Sequence, residues 1–192
     1  MSSGFSTGKS FYLTFDGAPH PPNTYRILDV LKKHNVKATF FMEGLRVTNE
    51  PECAREVFSQ GHAIGNHSYT HRDLLELSFE ECIDEIERTD AAIESLLGFQ
   101  PTPVRPPNGH IFPEFEEYLR KQNRPVVLWS ISVKDWLGPD EESLAERLVS
   151  QMTADTVTAV FHDFVEWTPG AVDRAIPRIK DLGYEFKTYG RG

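Results

Sequence analysis

FYLTFDGAPHPPNTYRILDVLKKHNVKATFFM, residues 11–42, carries one full cycle of the pattern that decides the fold. Residues 11–15 are a short run of aromatic and branched side chains, the composition of a strand. From residue 23 to 34 the spacing becomes helical: Ile27, Leu28, Val30 and Leu31 share one stripe, and Asn23 is placed to cap it. Residues 36–42 return to β-branched and aromatic types. Strand, helix and strand follow one another with little between them.

The same alternation continues along the chain. Further β-like runs fall at 62–67, 103–105, 125–133, 156–162 and 184–189, separated by amphipathic segments at 50–60, 78–97, 113–122, 141–152 and 170–182. Boundary signals agree with this reading. Ser78-Phe-Glu-Glu81 is a capping box, Gly61 and Gly98 stand where helices should stop, and Pro113 suits a first helical turn. About seven β/α units predict a parallel sheet clothed in helices. The runs are nearly continuous in apolar residues, as in a sheet buried on both faces. A closed or nearly closed barrel is expected. No repeat or linker divides the 192 residues, so 1–192 reads as a single domain.

The formal charge of −9 argues against a nucleic acid or an anionic membrane surface as the main partner. No run approaches the roughly 20 apolar residues of a membrane-spanning helix. Residues 1–10 are small and polar, without the apolar segment of a secretion signal, and a cytoplasmic location is the expectation. Cys53 and Cys82 match no metal spacing and read as free, packed thiols of a reducing compartment. Oligomeric state leaves no trace in the sequence.

Polar residues gather at the ends of the β runs: Asp16 after the first, His67 and His71 after the third, Arg105 after the fourth, Asp135 and Trp136 after the fifth, His162 closing the sixth. Each has an ordinary reading of its own. Asp16 could cap a turn, Arg105 sit in a surface ion pair, Trp136 pack in the core and His162 be hydrogen-bonded in place. His67 and His71, spaced i, i+4, would point the same way from one helical turn and could grip one divalent cation, though the pattern alone is weak. The carboxyl ends of parallel barrel strands share one face, and that face hosts active sites. Their joint placement there suggests an enzyme.

Five segments then carry a family resemblance: Thr14-Phe-Asp-Gly-Ala-Pro19, Gly65-Asn-His-Ser-Tyr-Thr-His71, Arg105-Pro-Pro-Asn-Gly109, Trp129-Ser-Ile-Ser-Val-Lys-Asp-Trp136 and Val160-Phe-His162. Their order resembles the five motifs of the polysaccharide deacetylase family, the NodB-homology domain of carbohydrate esterase family four. The resemblance implies a distorted (β/α) barrel and hydrolysis of an amide, usually the N-acetyl group of an acetylated aminosugar polymer. It implies roles as well. Asp16 resembles the base that activates water, and Arg105 its ion-pair partner. His67 and His71 resemble ligands of a divalent metal, often zinc. The Asn108 backbone N–H would contact an oxyanion. His162 resembles the general acid, tuned by Asp135, and Trp136 and Val160 resemble walls of the acetyl-methyl pocket.

This chain departs from the pattern at three points. Gly17 replaces the family's second aspartate, the carboxylate metal ligand; Ser132 replaces the first aspartate of the fourth motif; Asn108 replaces the usual aromatic of the third. Gly17 matters most, because zinc usually takes at least three protein ligands. His20, Glu43 and Asp73 lie near enough in sequence to substitute. Glu43 stands out as an acid at a strand end beside the core, although such carboxylates are commonly just solvated. Three functions compete: metal-assisted deacetylation, metal-independent hydrolysis of a small cyclic amide or imide as in the family's allantoinase-like members, and binding without turnover.

Overall fold

The alternation resolves, in the computed structural model describing residues 8–138 and 140–190, into six strands and seven helices among those residues. The strands are β1 (Ser10–Ala18), β2 (Thr39–Met42), β3 (Ala63–Asn66), β4 (Ile131–Ser132), β5 (Thr156–His162) and β6 (Glu185–Lys187). The helices are α1 (Asn23–Lys33), α2 (Gly44–Asn49), α3 (Pro51–Ser59), α4 (Phe79–Leu97), α5 (Pro113–Lys121), α6 (Glu141–Ser150) and α7 (Thr168–Asp181). Every ladder between these strands is parallel, in the order β3-β2-β1-β5-β4, with β6 lying against the first residues of β1. The expected capping box on α4 forms in both directions, and Gly98 closes that helix in the left-handed region.

Two expected strands are reduced. At 103–105 only Val104 pairs, with Asn66 on one side and Val126 on the other. Pro103 and Pro106 have no N–H to donate, so the ladder cannot lengthen there. The run 125–133 splits into that bridge and β4, because the carbonyls of Val127 and Leu128 between them accept from the Arg105 guanidinium instead of a strand. Parallel pairing therefore runs β4-β5-β1-β2-β3-Val104-Val126, and the chain leads from Val126 back to β4. This is a distorted (β/α) barrel.

The main core lies between the sheet and the stripes of α1, α6 and α7, where Phe11, Leu13 and Phe15 meet Ile27, Leu31, Leu148, Val172 and Ile176. A second cluster under α4 and α5 gathers Leu74, Cys82, Ile86, Val104, Phe115 and Leu119. Both cysteines are buried and free. The register sets up the chemistry, since Asp16 of β1 lies opposite Phe41 on one side and His162 on the other.

Candidate active site

A pocket of about 690 Å³ opens at the carboxyl ends of the strands. Asp16, His67, His71, Asn108, Trp136, Val160 and His162 all line it. Arg105 and Asp135 lie behind this wall and are fully buried. All nine residues singled out in the sequence thus belong to one site. Glu43, Arg46, Thr70, Trp129 and Phe164 also line it.

Asp16 and Arg105 form a buried ion pair, Nη1 to Oδ1 at 2.7 Å. The rest of the guanidinium is also engaged. Nη1 donates to Thr14 Oγ1 at 2.7 Å and Nε to the Val127 carbonyl at 2.9 Å, while the guanidinium carbon lies over the Phe41 ring, 4.0 Å from its centre. A charge can be held in a core only when its donors are satisfied in this way. One carboxylate oxygen of Asp16 is therefore anchored, and Oδ2 faces His67 Nε2 at 3.8 Å.

The two histidines meet without the expected helical turn. His67 follows β3, and residues 67–73 form a loop in which Ser68 and His71 take positive φ. The imidazoles nevertheless approach edge to face, with centroids 4.9 Å apart. Glu85 of α4 clamps this loop. Its Oε2 accepts from the N–H groups of Tyr69 and Thr70, and its Oε1 from the Thr70 hydroxyl, at 2.7–2.8 Å. Sequence reasoning missed Glu85, although a carboxylate on the buried stripe of α4 was a usable signal. His67 Nδ1 donates to the Arg105 carbonyl at 2.7 Å, which leaves the Nε2 lone pair facing the pocket. Burial pushes the His67 pKa down to about 4, so the ring is neutral at physiological pH.

Across the pocket, Asp135 is held in a 3-10 turn and organises His162. Its Oδ1 accepts from His162 Nδ1 at 2.8 Å; its Oδ2 accepts from the His162 N–H and the Thr168 hydroxyl. With Nδ1 tied back, Nε2 is the ring nitrogen free for substrate. Burial presses this imidazole down, but the hydrogen bond and charge of Asp135, helped by Asp16 and Asp163, outweigh it and raise the pKa. Trp136, half exposed, stands edge-on to the ring at 5.0 Å. In the third-motif turn, the hydrogen bonds come from the Gly109 and His110 N–H groups, leaving the Asn108 N–H out of the turn. The Asn108 side chain instead points to Asp73, at 3.4 Å.

The family's metal set does not assemble. Gly17 offers no donor, and among the described residues no group of three His, Cys, Asp or Glu is arranged to hold a metal ion. Two imidazoles alone fall short of the usual three protein ligands.

The fold is a (β/α) barrel that brings the Asp16–Arg105 and Asp135–His162 pairs to its strand ends. The polysaccharide deacetylase family model matches residues 4–127, and the chain belongs to that family. It is 36% identical over 180 residues to the peptidoglycan-N-acetylmuramic acid deacetylase PdaC of Bacillus subtilis, covering 94% of this chain and 38% of PdaC. The chain thus spans well under half the length of that relative. The solved structure of the Bc1960 peptidoglycan N-acetylglucosamine deacetylase superposes with a TM-score of 0.91 at 31% identity, over 96% of this chain and 88% of that one. BA3943 of Bacillus anthracis, described as a pseudoenzyme of the same carbohydrate esterase family, superposes with a TM-score of 0.89 at 29% identity, over 96% and 65%.

Proposed function

We propose that the chain hydrolyses the N-acetyl amide of an aminosugar polymer of the peptidoglycan type. The observation that carries this reading is the pairing of Asp16 and His162 on adjacent strands, each backed by a buried partner of opposite charge character and both facing one pocket. Asp16 Oδ2 takes a proton from water, and the resulting hydroxide attacks the acetyl carbonyl carbon. The Asn108 N–H donates to the tetrahedral oxyanion. His162 Nε2 then protonates the sugar nitrogen as the C–N bond breaks, releasing acetate and the free amine. The likeness to PdaC and Bc1960, both named for peptidoglycan deacetylation, supports this substrate class over a small cyclic amide.

The family's deacetylases generally depend on a divalent metal, zinc first; here His67 and His71 stand without the carboxylate that Gly17 replaces, so the acid–base steps rest on Asp16 and His162. One observation favours a second reading, binding without turnover: Gly17 occupies the place of the family's carboxylate ligand. The deciding assay is acetate release from N-acetylglucosamine oligomers and peptidoglycan by chelator-stripped protein, then with zinc added. Acetate in either state supports hydrolysis. None in both states overturns it in favour of the second reading.

A further inference from the structure

Phe164 stands beside the general acid but takes no part in the acid–base steps. We propose that it is the platform of a sugar subsite: its ring stacks on the C–H face of a neutral aminosugar ring, and Glu43 and Arg46 bind that ring's hydroxyls. This deepens the reading above and rests on it only for an aminosugar in this pocket. Phe164 lines the pocket and is 44% exposed. Its ring centre lies 5.2 Å from that of His162, and Trp136 flanks the same imidazole at 5.0 Å. A sugar lying on Phe164 is therefore next to the imidazole that donates the proton.

The turn after β5 fixes the Phe164 ring in place. His162 is tied to Asp135 through both its N–H and its Nδ1. Asp163 is fully buried, and its Oδ2 accepts from the His20 N–H at 2.9 Å and the Thr24 hydroxyl at 2.6 Å. With the two preceding residues anchored, little freedom is left to lose when a ligand stacks. Position 17 keeps the space beside this ring clear. A Cβ there would lie 3.4 Å from both Phe164 Cδ1 and Glu43 Oε1, so a longer side chain would enter the gap between them. Gly17 leaves that gap open.

An aromatic ring borders the gap on one side and a planar ion pair on the other. Glu43 Oε2 accepts from Arg46 Nε at 3.0 Å, and each group orients its partner. Among the described residues neither side chain makes another hydrogen bond, so Glu43 Oε1 remains an acceptor and Arg46 Nη1 and Nη2 remain donors. The pair sums to zero charge, which suits a neutral hydroxylated ring better than a carboxylate or phosphate. A pyranose matches both borders. Its ring C–H bonds gather on one face and meet the negative face of an aromatic ring, while the hydroxyls at its edge both donate and accept.

The test reads binding first and turnover second. The N-acetylglucosamine tetramer is titrated into the protein by calorimetry, and its proton resonances are followed by NMR. Wild type should bind it and shift the ring C–H protons upfield, the signature of a sugar lying over an aromatic face. Phe164→Ala should weaken binding by about fivefold or more and reduce that shift. Phe164→Tyr keeps the ring and should restore both. Arg46→Ala should weaken binding while the upfield shift persists. In acetate release, Phe164→Ala should raise KM and leave kcat within about twofold of wild type, the mark of uniform binding. Thermal midpoints check that each variant is folded. No binding by wild type, or equal affinity and shift in Phe164→Ala, would overturn the proposal; unchanged binding in Arg46→Ala would overturn its hydroxyl half. Binding without acetate release would sink the hydrolase reading and leave the subsite standing. Acetate release from peptidoglycan without binding of the tetramer would do the reverse.

Discussion

Asp16 carries a charge whose removal strands a neighbour. Asp16→Asn keeps the shape but leaves the fully buried Arg105 without its anion, and breaking a buried pair from one side costs about 3–5 kcal/mol. Hydrolysis should fall by at least about 10²-fold, the usual worth of a general base. Acetate release and a urea melt on the same sample check both effects, and a near-normal rate would end the base assignment. His162 must be protonated to act as the acid. Its raised pKa holds the proton to higher pH, and activity is lost as pH climbs through that value. Asp135→Asn removes the charge and the charge-assisted bond that hold the proton on His162, so the alkaline limb should move to lower pH. The pH profile of kcat/KM reads this shift, and a limb that stays put would separate Asp135 from the acid. These residues were legible in the sequence because each closes a β run, where one face of a parallel barrel collects side chains. Glu85 and Thr14 were harder to see, since both serve the site from buried positions.

At the scale of the element, the histidine loop is held from two sides. Glu85 of α4 supplies three hydrogen bonds, and the turn into α2 packs so closely that only glycine fits at residue 44. A Cβ there would run into the Tyr69 ring and meet the Thr89 backbone at 2.9 Å. Gly44→Ala should therefore cost about 1–3 kcal/mol by overpacking and displace the loop that bears His71. A lowered urea midpoint together with slower acetate release is the expected pair of results; a fall in stability with activity intact would show that the loop is held by Glu85 alone. This packing also accounts for the shape of the histidine loop. An i, i+4 pair of histidines suggests a helical turn, but here the imidazoles converge through left-handed residues and a remote carboxylate, which periodicity cannot register. The weak strands at 103–105 and 125–133 failed as ladders for a related reason: prolines and the Arg105 side chain claim their backbone groups.

Across the whole molecule, the barrel was legible because period and composition repeat seven times, whereas the buried charges that tune its stability were not. His62 and His67 are both pushed down by burial to about 4 from an ordinary 6.5. Between those values the unfolded chain binds protons that the fold refuses. Their contribution is complete above about pH 6.5 and is lost as pH falls towards 4. Asp163 works in the opposite sense. Burial pushes its carboxyl up to about 7 from 3.8, against hydrogen bonds from Thr24 and His20. The fold then keeps a proton that the unfolded chain releases, and this contribution fades as pH rises from about 4 to 7. The raised His162 adds to the same loss at higher pH. Two rings against one carboxyl leave about one proton taken up on unfolding at mildly acidic pH, a slope near 1.4 kcal/mol per pH unit. Above about pH 6.5 the sign reverses, so stability should peak between roughly pH 6 and 7. Urea midpoints of chelator-stripped protein from pH 4.5 to 8 measure this directly. Asp163→Asn removes the opposing carboxyl, so it should steepen the acid side and flatten the alkaline side. Wild-type stability that kept climbing through pH 8 would mean that Asp163 is not the buried acid holding that proton.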